Sequence, residues 1–135
     1  MDKKKILVVD DEANIQKMLR TLLEINDYEV ETVSDGSEAI TRVKQAPPDL
    51  VLLDLVMPKV DGFKVLENLK QDSKTKEIPI ILFTAAPPEV AAQRGASAVE
   101  AVDYVLKPFD RVTLSFLLQR IKELTDKQGG TSLHP

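Results

Sequence analysis

Asp10 and Asp11 stand side by side directly after the apolar run Ile6-Leu7-Val8-Val9. Asp54 closes the stretch "DLVLLD", Thr84 closes "IPIILFT", and Lys107 closes "VDYVLK". Two adjacent like charges at the mouth of a buried strand raise each other's pKa unless a cation sits between them. Three carboxylates gathered at one place make a donor set for a hard divalent cation. Oxygen ligands favour Mg²⁺ over softer metals, and Mg²⁺ commonly keeps some waters and shares its site with a phosphate. Lys107 and Thr84 are donors suited to phosphate oxygens. A carboxylate such as Asp54 can itself be the nucleophile, forming an aspartyl-phosphate. Taken singly, each residue has a plainer use. Asp11 would cap a helix, Asp54 would be a solvated strand end, and Thr84 a β-former. Lys107 would be an edge-strand charge that discourages aggregation, and Tyr104 a core or rim aromatic. Only their convergence makes a site, and convergence is a matter of fold.

Five strand-like stretches, 5–10, 28–33, 49–54, 78–84 and 102–107, alternate with five helix-like ones. Helical spacing is clearest in Ile15, Met18, Leu19, Leu22 and Leu23, and in Leu114, Leu117, Leu118, Ile121 and Leu124. Ala39, Ile40 and Val43 mark the second helix; Phe63, Leu66 and Leu69 mark the third. A weaker fourth helix is predicted over 87–101, with Pro at its start and Gly95 inside it. Strict β-α alternation implies a parallel sheet covered by helices on both faces. The first, third and fourth strands are apolar throughout, as strands buried on both faces are. "YEVETV" and "VDYVLK" are mixed and belong at the edges. The expected architecture is therefore α/β: a doubly wound, flavodoxin-like five-stranded parallel sheet of order 2-1-3-4-5 with five helices. Its ligand crevice lies beyond the carboxyl ends of the first and third strands, where Asp10, Asp11, Asp54, Thr84 and Lys107 all fall.

The chain has 135 residues, enough for one domain with a single core, expected over 1–126 with a disordered polar tail or linker over 127–135. A net charge of −4 gives no basic footprint for nucleic acid. The absence of cysteine excludes disulfides and thiolate metal sites and fits a cytoplasmic protein. No apolar run approaches the roughly 20 residues of a membrane span, and Lys3-Lys4-Lys5 is not followed by a signal-peptide core.

The motifs "VVDDE", "LLDLVMPKVDG", "FTA" and "YVLKPF" occur in an order and spacing that resembles the receiver domain of two-component response regulators, in particular single-domain receivers of the chemotaxis type. The resemblance runs from about Lys4 to about Asp126. It implies that Asp54 is the phosphoacceptor, charged by a sensor histidine kinase or a phosphotransfer protein. It further implies that Asp11 and Asp54 ligate Mg²⁺ with the backbone carbonyl of Val56, while Asp10 acts through a water. Lys107 would contact the phosphoryl group, Thr84 would be the switch hydroxyl, and Tyr104 the switch aromatic. A cis Lys107–Pro108 bond is implied as well. The output would be a change in the face of the fourth helix, fifth strand and fifth helix that alters binding of a downstream protein. Such a domain is not an enzyme acting on others, although it assists its own phosphorylation and its slow self-dephosphorylation.

The sequence departs from that family at several points. Glu100 stands where Gly is usual, and the stretch from Thr84 to Lys107 runs about one residue longer. The fourth helix is Ala-rich, buries little apolar area, and is expected to be the most mobile, with an atypical shape. By the same resemblance, Val56 and Ala86 would flank the path by which hydrolytic water enters, and neither side chain can orient it. His134, the only histidine, lies in the tail and is neither ligand nor phosphodonor.

Three rival functions share the architecture. A flavodoxin-type carrier needs a Ser/Thr/Gly-rich phosphate loop after the first strand, and "DDEAN" would repel it. A haloacid-dehalogenase-type phosphatase would need a second Asp at position 56, which is Val. A pseudo-receiver, binding partners without phosphorylation, is the alternative kept open, with the intact Asp11, Asp54, Thr84 and Lys107 set against it.

Overall fold

Side chains alternate across each strand with period two, and here both faces are apolar. In the computed structural model, which describes residues 3–57, 62–87, 89, 103–107 and 109–128, Leu7, Val9, Val51, Leu53, Ile80 and Leu82 enter one core layer. Ile6, Val8, Leu50, Leu52, Ile81 and Phe83 enter the other. A strand that is apolar on both faces needs a helix layer on each.

The described elements run β1 Lys5–Val9, α1 Ala13–Ile25, β2 Glu29–Val33, α2 Gly36–Gln45, β3 Leu50–Leu53, α3 Gly62–Gln71, β4 Ile80–Thr84, β5 Asp103–Leu106 and α4 Arg111–Gln128. The five strands form one parallel sheet of order β2-β1-β3-β4-β5. The expected flavodoxin-like order is the observed one, and the burial pattern that implied it holds. β3 and β4 are buried at every residue, whereas β2 and β5 carry exposed and half-buried positions.

Ala39 and Val43 of α2 and Val65, Leu66 and Leu69 of α3 cover one face. Leu19 and Leu23 of α1 and Leu117 and Ile121 of α4 cover the other. Each such pair is spaced for one stripe of a helix, and each buried Leu or Ile contributes about 1.5–3 kcal/mol. α2 starts where Asp35 accepts the Ser37 N–H at 2.8 Å, satisfying one orphan donor. α1 ends where Asp27 takes a left-handed φ of 70° and Tyr28 N–H returns to the Leu23 carbonyl at 3.0 Å.

The expected fourth helix over 87–101, with Gly95 and Glu100, lies outside the described residues apart from Pro87 and Glu89, as does Pro108. The terminal helix continues to Gln128, and 129–135, including His134, also lies outside them. Among the described residues, no helix is long and apolar enough to cross a membrane.

Candidate functional site: a carboxylate cluster around Lys107

The strands stop slightly short of the expected ends, at Val9, Leu53 and Leu106, so Asp10, Asp54 and Lys107 each sit one residue beyond. The ladder nevertheless continues through their backbones. Asp10 N–H donates to the Val33 carbonyl at 3.1 Å, Asp54 N–H to Val9 at 3.0 Å, and Lys107 N–H to Thr84 at 2.9 Å. Sheet register thus fixes the backbone of the site, and the side chains are free to turn inward.

Lys107 Nζ donates to Asp10 Oδ2 at 2.8 Å, Glu12 Oε1 at 2.9 Å and Asp54 Oδ2 at 3.1 Å. The side chains of Asp10 and Asp54 are 0% and 4% exposed, that of Lys107 is 10% exposed, and that of Glu12 is 58% exposed. Of the two paired acidic residues, Asp10 is the one that Lys107 meets. Burial opposes the charge of Lys107, but the hydrogen bonds to Asp10 and Glu12, with the fields of Asp54 and Asp10, more than offset that and raise its pKa above the ordinary lysine value. Asp10 is shifted upward, first by burial and slightly by Asp54, against the lowering pull of Lys107 and of the Glu12 N–H. That N–H meets Asp10 Oδ1 at 2.8 Å. The Lys107 ammonium also lies 5.3 Å from the Phe83 ring centroid.

Asp10, Glu12 and Asp54 each offer a carboxylate oxygen within 4.8 Å of the others. With one ammonium among three carboxylates, two negative charges are left over, and all the donors are hard oxygens. This set fits a divalent cation such as Mg²⁺. The membership differs from the expected one. Asp11 is exposed and is not part of this three-carboxylate group, while Glu12, given no role from the sequence, is. α1 begins with Glu12 as its N-cap residue, in extended conformation and with no side-chain capping bond, so its carboxylate is free for Lys107. The only sequence signal was a third acid following Asp10-Asp11 in "VVDDE".

Gln16 was also missed. Its Nε2 donates to the Asp10 carbonyl at 2.5 Å, to Ser34 Oγ at 2.9 Å and to the Val33 carbonyl at 3.3 Å, tying α1 to the ends of β1 and β2. Val56 lies beside the site: its N–H donates to Asp54 Oδ1 at 3.0 Å, while the residue as a whole is 55% exposed. Gly62, the first residue of α3, lies against the Asp54 turn and donates its N–H to the Leu55 carbonyl at 3.2 Å. A Cβ at position 62 would stand 2.5 Å from the Asp54 carbonyl oxygen.

Thr84 is fully buried, and its hydroxyl accepts the Ala86 N–H at 3.2 Å. Tyr104, half-buried against the α2–α3 core layer, donates its hydroxyl to the Ala86 carbonyl at 2.5 Å. An open cleft of about 490 Å³ adjoins the cluster, lined by Glu12, Ile15, Met18, Ala85, Lys107 and Phe109.

The chain is similar to known proteins in sequence and in fold. A probable transcriptional regulator, ycf27, of Guillardia theta is 41% identical over 130 residues, covering 96% of this chain and 50% of the relative. The transcriptional regulatory protein ResD of Bacillus subtilis is 39% identical over 128 residues, covering 95% and 50%. The chain thus spans about half the length of these curated relatives. Among solved structures, the response regulator TrrA of Thermotoga maritima, in complex with Mg²⁺-BeF, superposes with a TM-score of 0.77 at 36% identity, over 90% of this chain and 98% of that one. The chemotaxis response regulator CheY4 of Vibrio cholerae does so with 0.77 at 35%, over 88% and 98%. The family profile described as the response regulator receiver domain matches residues 6–119, and the chain belongs to that family.

Proposed function

We propose that this domain accepts a phosphoryl group on Asp54 from the phosphohistidine of a sensor histidine kinase or phosphotransfer protein. An Asp54 carboxylate oxygen attacks phosphorus, the N–P bond breaks, and the departing imidazole nitrogen takes up a proton. The observation that carries this reading is the convergence of Lys107 on buried Asp10 and Asp54 at the carboxyl ends of β1 and β3. Mg²⁺, when bound, would neutralise charge between carboxylates and phosphoryl oxygens. Asp10 and Asp54 of the three-carboxylate group would hold it, together with Asp11 and the backbone carbonyl of Val56, which the family resemblance adds, Asp10 acting through a water. Lys107 would stabilise the transferring group, as fixed cations do. Thr84 and Tyr104 would then carry the state to the surface around β5 and so to a downstream protein.

Support for Mg²⁺ comes from the two uncompensated charges of the cluster and from the Mg²⁺-BeF complex of TrrA. Relatives named as transcriptional regulators favour an output that ends in control of transcription; the net charge of −4 favours no direct nucleic-acid contact by this domain, and the absence of cysteine favours a cytoplasmic setting. Incubation with acetyl phosphate and Mg²⁺ tests the acceptor by mass. Wild type gains one phosphoryl group and Asp54→Asn gains none; equal gain in both would remove Asp54 from the role. No gain in wild type would favour a phosphorylation-independent pseudo-receiver.

A further inference from the structure

The Lys107 ammonium donates to Asp10, Glu12 and Asp54, and these same three carboxylates form the group that fits a divalent cation. A dication held there would draw on the same oxygens and repel the ammonium. Lys107 then stays in the crevice only if something attracts it that a metal ion does not compete for. Phe83 is such a neighbour. Its ring lies under the Lys107 Nζ, 5.3 Å from centroid to nitrogen, inside the roughly 6 Å reach of a cation–π attraction. A phenyl ring has no oxygen to offer a hard cation.

The sheet puts the ring there. Phe83 is the register partner of Val105, which stands two residues before Lys107, and both enter the core layer covered by α1 and α4. Val8 and Leu52, paired in the same way, stand two residues before Asp10 and Asp54 in that layer. These four are the last side chains of the layer before the carboxylate cluster, and Phe83 is the one aromatic among them. Its ring is fully buried, and Phe109 packs against it with centroids 5.9 Å apart and planes tilted by 35°. The Lys107 side chain is 10% exposed, so the attraction acts where desolvation makes it strongest.

We infer that Phe83 is a positioning residue for Lys107: its ring face is a seat that retains the ammonium in the crevice while the carboxylates turn to a divalent cation. Lys107 is thereby pre-organised for the phosphoryl oxygens. This rests on Asp54 being the phosphoacceptor. Phe83 touches no reacting atom and acts only through Lys107. In the metal-free protein the three carboxylates hold the ammonium and the ring is redundant, so its effect is confined to the metal-loaded state.

The test replaces Phe83 in the full chain by mono-, di- and trifluorinated phenylalanine, which drains electron density from the ring face while nearly keeping its shape. Side-chain NMR relaxation reads the mobility of Lys107 without metal and at saturating Mg²⁺. Calorimetry reads beryllofluoride binding at saturating Mg²⁺, and urea unfolding reads stability. Without metal, Lys107 is expected to be equally ordered in all four proteins. With Mg²⁺ it should stay ordered in wild type and grow more mobile with each fluorine. Beryllofluoride binding should weaken in step, by about 2- to 10-fold in the trifluoro protein. Wild type that takes up no beryllofluoride overturns the phosphoacceptor reading and this inference together. Wild type that binds, while either graded response is missing, overturns the seat alone, as does a wild-type Lys107 that Mg²⁺ sets free. Lys107 already mobile without metal in the fluorinated proteins, or binding that falls only as far as urea stability falls, would mean a loosened core and also overturns it.

Discussion

Thr84 and Tyr104 hold the two ends of one residue: the Thr84 hydroxyl accepts the Ala86 N–H at 3.2 Å, and the Tyr104 hydroxyl donates to the Ala86 carbonyl at 2.5 Å. Neither bond belongs to the sheet, so the turn after β4 keeps its shape through two side chains on neighbouring strands. If Thr84 is drawn towards a phosphoryl group, Ala86 loses one anchor and Tyr104 loses the fixed position of its acceptor. Each bond is then worth less without the other. Tyr104→Phe and Thr84→Val are each expected to cost about 0.5–1.5 kcal/mol. The double variant should lose less than the sum by at least about 0.5 kcal/mol. Urea unfolding of the four proteins measures this, and strict additivity would show the two residues to be independent.

The pH response of the tyrosines follows from their surroundings. Tyr104 is shifted above the ordinary value of 10.0 by burial, then by the fields of Glu89 and Asp54. Tyr28 is shifted the same way by burial, aided by Asp126 and opposed by the Thr125 hydroxyl. A raised folded-state pKa means that the neutral phenol is the form the fold favours. Its contribution is complete below the unfolded pKa of about 10 and is lost as pH rises through the folded values. With two tyrosines and no tryptophan, tyrosinate absorbance reports both cleanly. Native midpoints should lie above those of the urea-unfolded chain, and stability should fall above about pH 10. A native midpoint at or below the unfolded one would contradict the burial account.

Gly62 sets how closely α3 approaches Asp54. A methyl at this position would stand 2.5 Å from the Asp54 carbonyl oxygen and from Leu55 Cα, and 2.7 Å from the Leu55 carbonyl oxygen. These are backbone atoms, which cannot rotate away as a flexible side chain would, so the turn itself must shift. Gly62→Ala is expected to cost about 1–3 kcal/mol, the range for overpacking, and to displace Asp54 relative to Lys107. Unfolding and beryllofluoride titration in parallel check both parts. Loss of stability with unchanged binding would place the clash outside the acceptor turn.

The sheet order was legible because burial differs sharply between strands: a run such as Leu50-Val51-Leu52-Leu53 has no polar face to expose, whereas Glu29 and Glu31 mark β2 as an edge. Asp10, Asp54, Thr84 and Lys107 were legible as strand-end residues, since doubly wound topology brings those ends together. Which neighbouring acid faces Lys107 was not legible. Past Val9 the two-residue period no longer applies, and the turn into α1 decides the direction of each side chain. It buries Asp10, leaves Asp11 in solvent, and sends Glu12 back over the crevice. Gln16 escaped notice for a related reason. Its partners are backbone carbonyls on Asp10 and Val33 together with the Ser34 hydroxyl, and such pairings leave no mark in hydrophobic periodicity.

On the proposed phosphorylation of Asp54, the lifetime of the phosphorylated state would be set by water. Hydrolysis needs a water in line with phosphorus on the side away from Asp54, and orientation of that water dominates the rate. By resemblance to the family, the two side chains expected to flank this approach are Val56 and Ala86. Val56 already uses its N–H on Asp54 Oδ1 at 3.0 Å, and its half-exposed isopropyl group offers no polar atom. Ala86 has both its N–H and its carbonyl taken, by Thr84 and Tyr104, and its methyl offers nothing further. An orienting hydrogen bond is worth about 1–2 kcal/mol, which corresponds to roughly 5- to 30-fold in rate. The phosphorylated domain should therefore decay slowly for a receiver, as suits sustained regulation better than rapid motor control. Val56→Asn and Ala86→Glu each supply a polar side chain on that path without replacing Asp54, Lys107 or Thr84, and each should accelerate decay, the pair most. The measurement is loss of phosphoryl label from protein charged with acetyl phosphate and freed of donor. A double variant that decays no faster than wild type would mean that water reaches phosphorus by a route these two residues do not control.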